Sequence, residues 1–373
     1  MTAVIDACAA CLRRTELIGW LSGHIEQQWR LRRGRPQLLA LPDEELLRWA
    51  DRPEVAARYR AFSSAFATDR LIATGVGAVC GCSDAYPAGL RELPDPPAVL
   101  HLLGDPGRIH DDAVALVGAR QASPYGLEVA RSLGRSLGAA GVTVTSGMAK
   151  GVDSAAHAGA LETGHTVAVL ATGADRPYPA NAAGLHRRIV ANGCVVSELP
   201  PGTAPRRWAF PARNRLIAAL SLGTVVVEGG ERSGSLITAD FAAELGRFVG
   251  AVPGPVTSRG SAGSHALLKV GAEVIRGPED ILDLLSGAAA TVGSVVIGSG
   301  PRLAPRPEPA PPPPDLTPDL RALLDRVERG AGSLAELTTD PADGLAVAAG
   351  LGELELRGLV RRVFGGRYIR ALA

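Results

Sequence analysis

Several short loops in the middle of the chain carry residue types that can grip an anion. Gly118-Ala119-Arg120 follows a short apolar run, Val114–Val117. A strand that ends in glycine and leads into a helix offers backbone N–H groups to a negative charge. Arg120 adds a full charge and a fork of donors. Ser146-Gly147 ends a second apolar run, with Lys150 and Gly151 close behind. Arg213-Asn214-Arg215 stands just before an apolar stretch, Leu216–Leu220, which is expected to be a helix. Ser233-Gly234-Ser235 follows a further apolar run, with Thr238 adding a hydroxyl and Gly234 permitting close backbone approach. No single loop is specific, and the signal lies in their recurrence at successive strand ends.

The chemistry these loops suggest is phosphate binding without a dinucleotide. A G-x-G-x-x-G fingerprint would need glycine where Arg120 stands, and no Walker A sequence occurs. The loops read instead as a clamp on a nucleotide or a polymer. Arg206 and Arg207 beside Trp208 and Phe210 suit single-stranded nucleic acid, with charge for the backbone and a flat ring for a base; both rings suit a core equally. Asp153 and His157 lie four residues apart, on one helix face. They suit a proton-transfer couple, but the stronger reading is a helix-cap aspartate and a hydrogen-bonded histidine, with the helix starting at Ser154.

Cys8-x-x-Cys11 and Cys80-x-Cys82 have ligand-like spacing. Two readings stay open: four thiolates of a structural zinc site, or cysteines that share no ligand. Cys194 falls in an apolar run and reads as core.

The elements that must position these loops follow from hydrophobic pattern. Apolar strand candidates recur at Val114–Val117, Val142–Thr145, Thr166–Leu170, Cys194–Ser197, Thr224–Val227, Val249–Val252 and Ala272–Ile275, with helical segments between most of them. Continuous rather than alternating apolar runs imply strands buried on both faces. That predicts an α/β fold with a doubly wound, mostly parallel sheet over about residues 81–288. In open α/β sheets, ligands bind at the loops that follow the strands.

Residues 1–80 read as an N-terminal helical domain. It contains a basic run, Arg30, Arg32, Arg33 and Arg35, which reads as a solvated loop somewhat more than as a nucleic-acid contact. Residues 289–317 are a Pro-rich linker, expected to be extended and semi-rigid. Residues 318–373 form a small unit of three helices, with Ser333 and Glu336 in capping-box positions, and then a hairpin turning at Gly365-Gly366. That is the order of a winged-helix domain, which binds duplex DNA or protein.

Composition narrows the class further. The chain has 373 residues, is 46% hydrophobic and carries a net charge of +1, which argues against a uniformly basic DNA-coating protein. Lysine occurs only at Lys150 and Lys269, so positive charge is nearly all arginine. No apolar run approaches the roughly 20 residues of a membrane helix, and no signal-peptide pattern opens the chain. A cytoplasmic protein without a membrane span is expected.

Taken together, VALVGAR, VTVTSGMAKGVDSAAHAGAL, AVLATGADRPYPANAAGL, FPARNRLIAALS, VVVEGGERSGSLITADFAAELGR, VPGPV and LLKVGAEVI resemble the DprA/Smf family of DNA processing proteins, almost without gap from about Ala85 to Leu285. The resemblance implies a Rossmann-like domain, a SAM-like helical domain before it and a winged helix after it. It implies single-stranded DNA binding without sequence specificity or catalysis, protection of incoming strands, a homodimer, and loading of the recombinase RecA during natural transformation. It assigns DNA contact to Gly118, Arg120, Ser146, Gly147, Arg213, Asn214, Arg215, Ser233, Gly234, Ser235 and Lys269, and the loop reading adds Lys150. No cofactor is expected beyond the zinc that the cysteines suggest. His265 stands where the family often has asparagine, and Ala180 where some members carry lysine.

A rival reading is a nucleotide phosphoribohydrolase, because Glu228-Gly229-Gly230 partly matches that group's Gly-Gly loop. A third is a protein-bridging scaffold that does not touch nucleic acid.

Overall fold

The computed structural model describes residues 4–30, 38–291, 316–328, 334–338, 343–362 and 368–370. The chain divides into two compact units, Met1–Ala289 and Ala290–Ala373. The basic run beyond Arg30, the stretch 292–315 of the expected linker, Ser333 and the Gly365-Gly366 turn lie outside the described residues.

In the first unit, β1 (Ile5–Asp6) leads to α1 (Ala9–Arg30), α2 (Asp43–Ala50), α3 (Pro53–Arg60) and α4 (Ser64–Thr74). Then come β2 (Gly77–Cys80), α5 (Ala88–Arg91), β3 (Val99–Gly104), β4 (Ala113–Val117), α6 (Pro124–Ala139), β5 (Thr143–Ser146), α7 (Val152–Thr163) and β6 (Thr166–Val169). They are followed by α8 (Ala183–Asn192), β7 (Cys194–Ser197), α9 (Ala209–Ala219), β8 (Gly223–Val226), α10 (Gly234–Glu244), β9 (Phe248–Ala251), α11 (Ala262–Lys269), β10 (Glu273–Val274) and α12 (Pro278–Thr291).

These strands form one sheet in the order β1-β2-β3-β7-β6-β5-β4-β8-β9-β10. From β7 to β10 every pairing is parallel, whereas β3 runs antiparallel to both neighbours. The chain starts at the centre with β4, builds outward through β5, β6 and β7, and then returns to place β8 on the other side of β4. This is the Rossmann-like winding, and its topological switch point lies between β4 and β8. Every residue of β4 to β8 is buried, as two-sided covering by helices requires. Leu133 and Leu137 of α6, Ala156 and Ala160 of α7 and Ile281 of α12 pack against Val114, Leu116, Val144 and Val225.

The sheet has three strands more than the apolar runs suggested. β3 is the run Val99–Leu103, hidden in a Pro- and Asp-rich approach, and β1 is only two residues long. The segment expected as an N-terminal helical domain contributes β1 and β2 to this sheet. Its helices share their core with the sheet side. Leu17, Leu21 and Leu46 pack with Leu199 and Trp208, while Leu12 and Leu71 pack with Met148, Ala168 and Ile189. Burying one such leucine contributes about 1.5–3 kcal/mol, so these contacts outweigh the two-residue pairing of β1 in holding α1.

The second unit holds α13 (Pro318–Glu328), α14 (Leu334–Leu337), α15 (Gly344–Leu356) and an antiparallel pair, β11 (Val360–Arg362) with β12 (Tyr368–Arg370). Leu320, Leu324, Leu337, Leu351, Leu354 and Val360 form its core. Leu345 and Leu356 of α15 are exposed. Among the described residues, no helix is long and apolar enough to cross a membrane.

Candidate nucleic-acid interface

The loops after β4 and β8 meet across the switch point. The Ala119 N–H donates to the Glu228 carbonyl at 2.6 Å, and the Val152 N–H donates to the Ala119 carbonyl at 3.2 Å. Gly118 fits between Val152 and the Glu228 carbonyl, where a Cβ would overlap both. Beside this junction lies a cleft of about 620 Å³, a size that suits a nucleotide-scale ligand.

Its lining brings together Gly118, Arg120, Arg213, Asn214 and Ser233-Gly234-Ser235. Arg120 is exposed, and its guanidinium lies over the Phe210 ring, 5.3 Å from the centroid. The Tyr178 ring also packs against Phe210, with the two centroids 5.1 Å apart. Ser233 caps α10, and its hydroxyl lies 2.7 Å from that of Ser235. The Asn214 amide donates to the Gly234 carbonyl at 3.1 Å, tying α9 to the start of α10. The N-terminal end of α10 therefore faces the cleft with its partial positive charge.

Arg213 and Arg215 part company. Both were expected to precede a helix, but α9 starts at Ala209 and includes them. Two residues apart on a helix means about 200° apart around it. Arg213 consequently reaches the cleft, while Arg215 points away. Arg215 is buried and ion-paired to Asp95 at 3.0 Å and to Glu198 at 2.7 Å. Burial works against its charge, but Glu198 and Asp95 outweigh burial and hold its pKa above the usual value. Arg215 fastens α9 to the loops at Asp95 and Glu198 and is not part of the cleft lining.

Arg213 is also buried, at 5% exposure, yet its guanidinium borders the cleft. One Nη donates to the Val169 carbonyl, and Nε has no partner among the described residues. Burial lowers its pKa to about 10, so it stays cationic near neutral pH. The guanidinium lies directly against Gly147, in the space a Cβ would occupy.

The Ser146-Gly147 loop thus works as a support. The Ser146 hydroxyl is buried and donates to the Leu116 carbonyl at 2.6 Å. The N–H groups of Gly147 and Ala149 donate to the Asp153 carboxylate at 3.2 and 3.3 Å. Those amides are spent inside the protein, as is that of Ala119. The cleft offers arginine side chains where the sequence suggested a cradle of amides. Burial raises the Asp153 pKa, opposed by the Arg213 charge, the two N–H donors and Arg120.

The helix carrying Asp153 starts at Val152, with Gly151 in the capping position at φ 81°. His157 bonds to the Thr166 hydroxyl at 2.6 Å, and burial, aided by Arg213, lowers its pKa to about 3. A neutral histidine committed to Thr166 is structural, as expected, but Asp153 does not cap the helix: Gly151 holds that position, and the Asp153 carboxylate is taken up by Gly147 and Ala149 ahead of it. Trp208 is core, its indole donating to the Ser22 carbonyl at 3.1 Å, whereas Phe210 lines the cleft. Lys150 and Lys269 are exposed and lie outside the lining.

Two further lining residues escaped the sequence reading. Trp29, at the far end of α1, and Ile237 of α10 are exposed large apolar groups at the cleft. Trp29 gives no local signal, because it lies far from every anion-binding loop in sequence. The four cysteines Cys8, Cys11, Cys80 and Cys82 also converge, away from the cleft lining, with their sulfurs all within 4.8 Å of one another.

Fold and site together define a Rossmann-like α/β protein with an arginine-lined, aromatic-edged cleft at its switch point. A family model for DNA recombination-mediator protein A matches residues 78–286. The chain belongs to that family. It is 47% identical over 212 residues to a DprA protein of Mycobacterium tuberculosis, covering 55% of this chain and 54% of that one. It is 35% identical over 318 residues to protein Smf of Synechocystis, covering 76% and 78%. The chain thus spans about half the length of the first relative and over three quarters of the second. The X-ray structure of DNA processing protein A from Streptococcus pneumoniae superposes with a TM-score of 0.60 at 31% identity, covering 74% of this chain and 95% of that one. DNA processing protein A from Helicobacter pylori, whose structure concerns its single-stranded DNA binding mode, gives a TM-score of 0.52 at 28% identity, covering 57% and 96%.

Proposed function

We propose that this chain binds single-stranded DNA in the switch-point cleft, without catalysis, as a step in DNA processing. The observation that carries the reading is the convergence of Arg120, Arg213 and the start of α10 on one cleft edged by Phe210, Trp29 and Ile237. Arginines meet phosphates while aromatic faces accept any base, which gives binding without sequence preference. The match to a recombination-mediator family supports a finer reading. In that reading the protein protects incoming single strands and hands them to the recombinase RecA in natural transformation, acting as a cytoplasmic homodimer. Residues 318–373 serve as a winged helix that contacts protein or duplex DNA.

The catalytic rival needs a free carboxylate at Glu228. That carboxylate is buried and accepts from both the N–H and the hydroxyl of Ser123, at 3.0 and 2.9 Å. It is occupied in bracing the start of α6, and Glu228 is not in the cleft lining.

Fluorescence anisotropy with labelled oligonucleotides tests the proposal. Single strands should bind more tightly than duplex, with affinity falling steeply as salt rises. Equal or absent binding at low salt, or release of free base from nucleoside monophosphates, overturns it.

A further inference from the structure

We infer that Cys8, Cys11, Cys80 and Cys82 form a closed structural zinc site that fixes the base of α1 to the sheet edge. The four sulfurs come from two sequence segments 70 residues apart, and the fold brings them to one point. β1 and β2 are parallel neighbours, with Ile5 opposite Ala78 and Asp6 opposite Val79. Both strands therefore deliver the chain to the same end of the sheet. Cys8 follows β1, Cys11 lies in the first turn of α1, Cys80 ends β2, and Cys82 lies in the turn beyond it.

The spacing is that of a metal tetrahedron. A zinc ion with four thiolates at about 2.3 Å separates the sulfurs by about 3.8 Å. Cys11 and Cys82 have their sulfurs 3.8 Å apart, and all four lie within 4.8 Å of one another. Two disulfides would leave each sulfur with one close partner at about 2.0 Å. Here one compact cluster holds all four, and the cysteines are free thiols.

The surroundings fit a structural ion. The Cys8 N–H points at the Cys80 sulfur, 3.5 Å away, the kind of outer-shell donor that steadies a thiolate ligand. Arg91 donates to the carbonyls of Gly81 and Ser83. It thereby holds the turn that presents Cys82 and sets a positive charge beside a site whose net charge would be −2. Four protein ligands fill the tetrahedron and leave no open position for water or substrate, so the site is structural, not catalytic.

Its consequence reaches the cleft through α1. That helix is 22 residues and about 33 Å long, with Cys11 in its first turn and Trp29, which lines the cleft, in its last. At its base, α1 is held by the packing of Leu12 and, ahead of it, by a two-residue strand. A zinc clamp there adds a fixed point to the segment between that strand and the helix.

Metal analysis of the purified full-length chain tests this directly and does not depend on DNA binding. The expected result is one equivalent of zinc per chain, released as a mercurial titrates four thiols. Cobalt substitution should give the intense visible bands of a tetrahedral tetrathiolate. Cys82→Ser, at an exposed position, should abolish stoichiometric zinc, while Cys194→Ser should retain it. A folded wild-type chain without zinc and without the cobalt spectrum overturns the inference. So does iron with acid-labile sulfide, or a Cys11–Cys82 disulfide that forms with zinc in excess.

Discussion

The Arg213 guanidinium lies against the backbone of Gly147, in the volume a Cβ at that position would fill. The Ser146-Gly147 loop and the Arg213 helix therefore act as one unit, and the absence of a side chain at Gly147 places a buried cation at the cleft. Gly147→Ala should push the guanidinium away without removing its charge. We expect single-strand affinity to fall about tenfold, consistent with losing one charged hydrogen bond, together with a lower unfolding midpoint. Anisotropy and thermal unfolding on the same preparation check this. Unchanged affinity would mean that Arg213 does not contact DNA.

Arg215 should behave in the opposite way to Arg120. Arg215→Ala leaves Asp95 and Glu198 facing each other without their shared cation. Breaking a buried pair in this way costs about 3–5 kcal/mol, readable in urea unfolding, while the folded fraction keeps its affinity for single strands. Full stability with lost DNA binding would return Arg215 to the interface.

Trp29 is predicted to stack on a base. Trp29→Ala should weaken binding roughly tenfold, within the range of about 1–3 kcal/mol seen for base stacking. The residue is half exposed, so the fold should tolerate the change. A wild-type affinity for the folded variant would place the strand elsewhere along the cleft.

How much of this could be read from the chain itself depends on distance in sequence. The parallel core was legible because two-sided burial leaves continuous apolar runs such as Val114–Val117 and Cys194–Ser197. The loops after those strands were legible for the same reason. Arg213 and Arg215 looked equivalent because residues two apart look alike on paper, and only the helical phase separates them. The amides of Gly147 and Ala149 looked available because nothing local says that Asp153 takes them. Trp29 and the joining of β1 to β2 depend on contacts between distant segments. The four cysteines were legible as two spacings, and only the parallel pairing of β1 with β2 shows why they meet.

Acid should destabilise the first unit through two buried histidines. Burial lowers the pKa of His101 and of His157 to about 3, in the case of His157 with help from Arg213. In the unfolded chain each returns to about 6.5. Between those values the unfolded state binds the additional protons. The stability is complete above pH 6.5 and declines toward pH 3, by about 1.4 kcal/mol per pH unit for each histidine. Urea unfolding at stepped pH measures the slope, and His157→Gln should make it shallower. A slope unaffected by that change would contradict the assignment of His157 as buried and neutral.

Arg120 and Arg213 are proposed to bind a DNA strand in the switch-point cleft, and of the two Arg120 can be removed without disturbing the core. Arg120 is exposed, so Arg120→Ala should leave the unfolding midpoint where it is. The decisive measurement is the salt dependence of single-strand affinity for wild type and this variant. Affinity should fall about ten- to a hundredfold at fixed salt. The slope of log affinity against log salt should become shallower by about 0.7, the loss of one phosphate contact on a single strand. A folded Arg120→Ala protein with wild-type affinity and wild-type slope would mean that the strand does not bind in this cleft.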